Sequence, residues 1–191
     1  MRNDFQAIVM GVSAGGFNAL HTMLPLFPRD FPLPIIIVQH RISENNTFLE
    51  ESLNRVCQLT VKESNEKETI NPGIIYIAPG GYHLLVEKDL TFSLSVDEPV
   101  CYSRPSIDVL FETASLAFGP RLIGVILTGA NDDGSEGIKK IKSKGGLTIA
   151  QDPESAEVEI MPRSAIETKT VDFILPLEEI PSFILTVLED S

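Results

Sequence analysis

Length, composition and charge narrow the class of protein. The chain has 191 residues, of which 43% are hydrophobic and 22% charged, as in a globular protein that can bury one sizeable core. We therefore expect a single domain over residues 1–191. The 15 basic and 27 acidic residues give a formal charge of −12. This argues against a nucleic-acid partner or an anionic bilayer, because phosphate recognition normally uses a basic patch.

The sequence gives no signal for a membrane span, for secretion or for a metal. No stretch reaches the about 18 uninterrupted apolar residues that a spanning helix needs. A strand-like run, and no signal-peptide core, follows the start of the chain. Cys57 and Cys101 have no CxxC spacing, so we interpret them as core thiols. We expect a cytoplasmic protein without membrane insertion, cofactor or metal.

The first apolar run ends at a serine between glycines. Ala7–Val12 leads into Ser13, and apolar residues at helical spacing then predict a helix from Gly15 to Phe27. Strand, sharp turn and helix are the context of the nucleophile elbow Gly-x-Ser-x-Gly. A phosphate-binding glycine loop is the alternative. Against it, a serine occupies the second glycine position and no acidic residue follows the next strand.

Strand and helix patterns alternate through the rest of the chain. Strands are predicted at 35–38, 59–63, 74–78, 122–127, 147–150 and 173–175, and a hairpin at 83–86 and 91–96. A helix is predicted from Asn45 or Asn46 to Val56, and another after Ser106 as its cap, with Ile107, Leu110, Phe111 and Leu116 on its buried face. Three more are predicted, one from the loop that ends at Gly134 to about Lys144 and two at 162–167 and 177–188.

This alternation predicts an α/β fold with a doubly wound, mostly parallel sheet of about seven strands, an inserted antiparallel hairpin and helices on both faces. Ligands bind such sheets beyond the carboxyl ends of the strands, at a switch point in strand order. Ser13, His40 and the polar residues 131–133 all follow predicted strands. We therefore expect these three segments to meet at one edge.

Those segments supply the side chains of a hydrolytic triad. A serine hydroxyl needs a base, an imidazole suits that role at neutral pH, and a buried carboxylate fixes the imidazole. Ser13 and His40 supply the first two, and position alone leaves Asp132 and Asp133 open as the acid. The chain order Ser, His, Asp differs from that of the α/β-hydrolases. We interpret His21 and His83 as structural.

Several motifs together resemble one known family. They are Gly11–Gly16, Val38–His40, Val61–Glu63, Pro72–Gly73 with Tyr76–His83, Arg104–Phe111, Leu127–Gly129 with Asp133–Gly134, and Met161–Pro162 with Ala165–Ile166. In this order they resemble the catalytic domain of CheB, the chemotaxis protein-glutamate methylesterase. The resemblance runs from Ala7 to about Leu188 and implies hydrolysis of glutamate methyl esters on the cytoplasmic helices of methyl-accepting chemoreceptors, with glutamine deamidation as a side activity.

The resemblance also assigns roles to residues. It implies that Ser13 is the nucleophile, His40 the general base and Asp133, directly before Gly134, the orienting acid. Backbone amides near Ala14 and Ala130 would form the oxyanion hole, and Met161 would belong to the substrate-binding residues.

Three departures from the family pattern leave other functions open. The loop has Ala130 and Asn131 where the family has methionine and glycine, so a non-catalytic receptor- or scaffold-binding relative is one alternative, and an esterase outside chemotaxis is another. Arg41 replaces an expected methionine after the histidine and would either steer an acidic receptor helix or lie on the surface. The family's N-terminal receiver domain does not precede the sequence. The chain is thus an excised domain or a stand-alone member, for which a separate regulatory protein is an expected partner.

Overall fold

A computed structural model describes residues 4–41 and 47–189. The strands are β1 Ala7–Val12, β2 Ile35–Gln39, β3 Thr60–Glu63, β4 Ile74–Ile77, β5 His83–Val86, β6 Phe92–Ser95, β7 Leu122–Ile126, β8 Leu147–Gln151 and β9 Phe173–Leu175. The α-helices are α1 Gly16–Met23, α2 Phe48–Asn54, α3 Ile107–Phe118, α4 Ser135–Ser143, α5 Ile160–Glu167 and α6 Ile180–Glu189.

The main sheet is parallel throughout. Its seven strands lie in the order β3-β4-β2-β1-β7-β8-β9, and β5 and β6 form a separate antiparallel pair. The predicted doubly wound sheet with an inserted hairpin is therefore confirmed. From β1 the chain builds outward on one side through β2, and it later returns to build the other side from β7. The switch point in strand order thus lies between β1 and β7.

Both faces of the sheet are covered. Alternate residues of β1 point to opposite faces, as in any strand. Ile8, Met10 and Val12 pack in the hydrophobic cluster that includes residues of α1, α2 and α6. Ala7 and Val9 pack in the cluster that includes residues of α3, α4, α5 and the hairpin. Burial on both faces is why the central strands have continuous apolar sequences.

The helices differ from the predictions in the end of one helix and in the buried face of another. The helix after Ser13 ends at Met23, and Leu24–Leu26 continues as a 3₁₀ turn around Pro25, which lacks the N–H that an α-helix interior needs. Leu116 is 57% exposed, so its predicted burial is wrong. It lies about two and a half helical turns after Ile107, and therefore on the opposite face of α3 from that residue, which is fully buried.

The predicted caps of α2, Asn45 and Asn46, lie outside the described residues. Cys57 and Cys101 are only partly buried, so the prediction of core thiols is too strong for both. Burial raises the pKa of the Cys57 thiol to about 11. Within the described part of the chain, no helix is long and apolar enough to cross a membrane.

Candidate active site

The ends of β1, β2 and β7 are joined at the switch point by backbone hydrogen bonds. The amide of Ser13 donates to Thr128 O at 3.0 Å, and the amide of His40 donates to Val12 O at 3.0 Å. Ser13 and His40 therefore stand side by side because β1 and β2 are paired in register up to Val12 and Gln39. The segment after β7 closes the same edge from the other side.

The three side chains predicted from the sequence meet there in one hydrogen-bonded chain. His40 Nδ1 lies 3.1 Å from Ser13 Oγ, and His40 Nε2 lies 2.7 Å from Asp133 Oδ2. The carboxylate only accepts, so it fixes the imidazole proton on Nε2 and leaves the Nδ1 lone pair facing the serine hydroxyl. Asp133 is fully buried, whereas Asp132 is exposed. The geometry therefore selects Asp133 as the partner of His40.

The Asp133 carboxylate is held by the start of helix α3. Its Oδ2 also accepts the amide of Ile107 at 2.7 Å, and its Oδ1 accepts the amide of Asp108 at 3.0 Å and the hydroxyl of Ser106 at 2.9 Å. A helix N-terminus favours a negative charge, and these donors satisfy both oxygens. Ser106 stands at the N-cap position of α3 as predicted, but its side chain does not supply the cap. Ser106 makes no side-chain cap bond because its hydroxyl donates to Asp133, which caps α3 from another segment.

The other two histidines have structural partners. His83 is 2% exposed, accepts the amide of Ser106 on Nδ1 at 3.2 Å and donates from Nε2 to Glu98 O at 3.0 Å. It therefore holds the residue that supports Asp133. His21 lies 2.8 Å from Phe17 O and 2.7 Å from Ser52 Oγ, which ties α1 to α2. These contacts agree with the structural interpretation of both residues.

The glycines around Ser13 have different physical roles. Gly15 has φ +78°, so the left-handed residue of the turn comes after Ser13. Gly11 lies in β1, where an added Cβ would approach Ile107 Cγ2 to 2.4 Å. Gly11 is therefore required for close packing of α3 on the strand. Ser13 is not among the described non-glycine residues with positive φ, so its turn lacks the strained nucleophile typical of the α/β-hydrolase elbow.

Thr128 connects the serine turn to the loop after β7. It is 1% exposed, and its hydroxyl donates to Ala14 O at 2.8 Å and accepts the amide of Val158 at 2.9 Å. Met161 packs against the next residue, Gly129, where an added Cβ would approach Met161 Cε to 2.5 Å. Met161 is fully buried, so its side chain is not exposed to a substrate. This differs from the expectation that it belongs to the substrate-binding residues. It supports the loop from below.

Several backbone amides near Ser13 are already engaged. Those of Ser13, Gly16 and Gly129 donate to Thr128 O, Ser13 O and Val158 O. Ala14 and Ala130, the two positions expected for the oxyanion hole, are both exposed beside the serine turn and the loop. Asn131 is not among the described non-glycine residues with positive φ. The loop therefore does not need glycine there, and the replacement of the family's glycine by Asn131 creates no backbone conflict.

Arg41 is neither a free surface residue nor available for steering. Its side chain is 17% exposed and donates to Glu50 Oε1, Glu63 Oε2 and Ala78 O, each at 2.8 Å. Glu50 is itself only 4% exposed. The residue after His40 thus ties the end of β2 to α2, β3 and the end of β4. Both interpretations of Arg41 from the sequence are wrong, because its partners come from distant segments.

A loop after the hairpin forms one wall of the site. With His40 and Arg41 it encloses a cavity of about 460 Å³, lined also by Gly81, Tyr102, Ser103 and Arg104. Tyr102 is fully exposed at the rim. Ser103 Oγ lies 3.4 Å from His40 Nδ1, on the same nitrogen that faces Ser13. The cavity is therefore lined by His40, whose Nδ1 lies between the hydroxyls of Ser13 and Ser103.

One group of potential metal ligands comes together among the described residues, namely Cys101, Asp108 and Asp133. Burial, followed by the charge of Asp133, raises the pKa of the Cys101 thiol to about 11. Burial also raises the pKa of Asp108 to about 6, although the amide of Gly137 stabilises its charged form. Both Asp133 oxygens already accept two donors each. The Asp133 carboxylate is therefore satisfied by hydrogen bonds, and the raised pKa keeps the Cys101 thiol protonated and weakly nucleophilic at neutral pH.

Comparison with known proteins identifies the family. The model of the CheB methylesterase family matches residues 8–184. The chain belongs to the CheB methylesterase family. The catalytic domain of the Thermotoga maritima CheB methylesterase superposes with a TM-score of 0.91 at 35% identity, over 98% of this chain and 99% of that one. This agrees with the fold and with the resemblance described above.

Relatives in the CheB family differ in length. A Leptospira interrogans protein is 54% identical over 98% of this chain and 97% of its own length. The protein-glutamate methylesterase/protein-glutamine glutaminase of Halalkalibacterium halodurans is 41% identical over 95% of this chain, which spans 54% of that protein. The match therefore covers nearly the whole of one relative and about half of the other.

Several residues that build the site were not assigned to it from the sequence. Gln39 and Thr128 lie in the Val38–His40 and Leu127–Gly129 motifs but were given no role, and Ser103 lies in none of the motifs. Gln39 donates to Ser13 O at 3.0 Å and to His40 O at 3.1 Å. Its place at the end of β2, beside the predicted base, was the available signal. Ser106 and Asp108 lie in the Arg104–Phe111 motif, but their link to Asp133 depends on the fold.

Proposed function

We propose that this chain hydrolyses methyl esters of glutamate side chains on the cytoplasmic helices of chemoreceptors, with Ser13, His40 and Asp133 as its catalytic triad. The observation that carries the proposal is the continuous hydrogen-bonded chain from Ser13 Oγ through His40 to Asp133. Relatives that bear the name protein-glutamate methylesterase/protein-glutamine glutaminase support the substrate class. We also propose that the protein acts in the cytoplasm.

In acylation, His40 Nδ1 takes the proton of Ser13 as Oγ attacks the ester carbonyl carbon. The Ala14 and Ala130 amides are the donors proposed for the oxygen of the tetrahedral intermediate, where such a donor commonly contributes about 3 kcal/mol. The intermediate collapses, its bond to the methoxy oxygen breaks, and that oxygen leaves as methanol with the proton from Nδ1. Asp133 keeps Nε2–H in place and stabilises the imidazolium formed during the step.

Deacylation uses the same groups in reverse. Water attacks the Ser13 ester, its proton passes to His40 Nδ1, and the proton returns to Ser13 Oγ as the glutamate carboxylate departs. Glutamine would follow the same path with ammonia as the leaving group, which accounts for a glutaminase activity at the same residues. No cofactor enters either step.

The second function considered from the sequence, a non-catalytic binding relative, has lost its main motivation. It was motivated by Ala130 and Asn131 in the loop, and Asn131 is not among the described non-glycine residues with positive φ, so its backbone gives no reason to expect a weakened enzyme. A separate regulatory protein that contacts this chain remains part of the proposal.

The substrate is tested by comparing methylated receptor membranes with a panel of small methyl esters. We expect methanol release from the receptor that disappears in Ser13→Ala and in receptor whose methylated glutamates are replaced by alanine. Ser93→Ala, on the hairpin, is the matched control and should release methanol like wild type. Turnover of small esters with no release from methylated receptor would contradict the chemoreceptor substrate and favour an esterase outside chemotaxis.

A further inference from the structure

Ser103, in the wall of the cavity, lies near the same histidine nitrogen as Ser13. His40 Nδ1 has a single lone pair when the proton is on Nε2. Ser13 Oγ lies 3.1 Å from it and Ser103 Oγ 3.4 Å. The other acceptor within reach of the Ser103 hydroxyl is Cys101 O at 3.5 Å. Both contacts of Ser103 are at the limit of hydrogen bonding, so its hydroxyl is free to bind a ligand oxygen.

The backbone presents Ser103 to His40 in a fixed way. Val100 and Ser103 exchange backbone hydrogen bonds of 3.1 and 2.9 Å, and they are joined by Cys101 and Tyr102, with φ values of +48° and +61°. Two consecutive left-handed residues are typical of a tight two-residue turn, but non-glycine residues adopt that conformation rarely. The turn directs Tyr102 to solvent and Ser103 into the cavity.

Side-chain hydrogen bonds also hold the segment before the turn. The guanidinium of Arg104 donates to Val96 O at 2.7 Å and to Asp97 O at 2.9 Å. His83 donates to Glu98 O at 3.0 Å. These contacts fix the loop between the hairpin and α3, so the position of the Ser103 hydroxyl is set by the fold.

We propose that Ser103 is a positioning residue whose hydroxyl holds a reacting oxygen next to His40 Nδ1. In acylation this is the oxygen of the leaving methanol, and in deacylation it is the oxygen of the attacking water. The inference rests on the proposed function, because it requires an acyl-enzyme on Ser13. The methanol oxygen and the water oxygen must each lie next to His40 Nδ1 to exchange a proton with it. Ser103 Oγ lies beside that position, on the side of the cavity. In deacylation the water oxygen bonds to the acyl carbon, its proton goes to Nδ1, and the bond from that carbon to Ser13 Oγ breaks as Oγ takes the proton.

An activated ester separates the two steps. With p-nitrophenyl acetate, p-nitrophenolate leaves without a proton, so acylation does not use the position beside Ser103, whereas deacylation by water does. We expect Ser103→Ala to keep the acylation rate within about twofold and to slow deacylation about tenfold, as the loss of one hydrogen bond would. Ser103→Thr keeps the hydroxyl and should restore deacylation, and Ser93→Ala should match wild type.

The readout is the fraction of enzyme acetylated at steady state, measured by intact mass after acid quenching, together with the rate of p-nitrophenolate release. Ser103→Ala should raise the acetylated fraction. An unchanged or lower fraction, or a Ser103→Thr variant as slow as Ser103→Ala, would overturn the inference. Acetylation of Ser103 in Ser13→Ala would also overturn it, because Ser103 would then be a nucleophile. Undiminished turnover by Ser13→Ala would instead refute the proposed function.

Discussion

Asp133 Oδ2 accepts the backbone N–H of Ile107 at 2.7 Å, so the proposed acid of the triad also caps helix α3. The same oxygen accepts His40 Nε2–H at 2.7 Å. Helix α3 packs on β1 through Ile107, directly against Gly11. One carboxylate thus links the orientation of the imidazole to the start of a core helix, and changes at Asp133 should affect activity and folding together.

Asp133→Asn tests this double role. The amide group would place an N–H among four donors, so we expect kcat/KM to fall by at least about a thousandfold and the free energy of unfolding to fall by about 1–3 kcal/mol. Urea unfolding and ester hydrolysis measure the two effects. Asp132→Asn is the matched control and should change neither. Equal losses in both variants would refute the assignment of Asp133.

Arg41→Met tests the ion-pair network behind His40. The change leaves the buried Glu50 carboxylate without its cation, and we expect the free energy of unfolding to fall by about 3 kcal/mol. The exposed pair of Arg163 and Glu159 provides the comparison, since Arg163→Met should leave the free energy of unfolding nearly unchanged. Urea denaturation of both variants measures the difference. Similar small costs would show that the Arg41 network contributes little.

Asp108→Asn tests the pH dependence of stability. Burial raises the pKa of this carboxyl from 3.8 to about 6, so the folded state keeps a proton that the unfolded state loses. The free energy of unfolding is therefore lowered by this carboxyl. The reduction is absent below about pH 4, grows between about pH 4 and 6, and is constant above pH 6. We expect Asp108→Asn to be more stable than wild type by about 1 kcal/mol at pH 7, after discounting for solvent screening.

The measurement is urea unfolding of wild type and Asp108→Asn across this pH range. Asparagine can still accept the Gly137 amide, which donates to Asp108 Oδ1 at 2.6 Å. The difference between the two proteins should therefore disappear at pH 4. A difference that is independent of pH would contradict the raised pKa.

Asn131→Gly tests the altered loop. Asn131 is not among the described non-glycine residues with positive φ, so glycine relieves no strain and we expect kcat/KM to stay within about twofold of wild type. Ester hydrolysis by the two proteins is the measurement. A large gain in kcat/KM would show that asparagine impairs the loop and would revive the alternative of a weakened enzyme.

The sequence predicts the sheet well because its central strands are buried on both faces. It also predicts which segments follow β1, β2 and β7, so the meeting of Ser13 and His40 with residues 131–133 follows from strand order. The choice of Asp133 over Asp132 came from the family resemblance. It does not predict partners that come from elsewhere in the fold. Asp133 caps a helix that precedes it in the chain.

Two further residues show the same limit. Arg41 pairs with Glu50 and Glu63 on separate elements, so its charge alone suggested surface or steering. Met161 lies in a recognised motif, but its burial against Gly129 depends on how α5 packs beneath the loop. Motifs thus identified residues near the site, whereas their roles required the tertiary contacts.

Covalent labelling of Ser13 tests the central claim most directly. The wild-type protein is treated with an organophosphorus ester and digested, and the modified residue is located by mass spectrometry alongside Ser13→Ala and Asp133→Asn. We predict one label per chain on Ser13, none in Ser13→Ala and much slower labelling in Asp133→Asn. An unlabelled Ser13 in folded wild-type protein, or equal labelling rates in wild type and Asp133→Asn, would contradict the proposed triad.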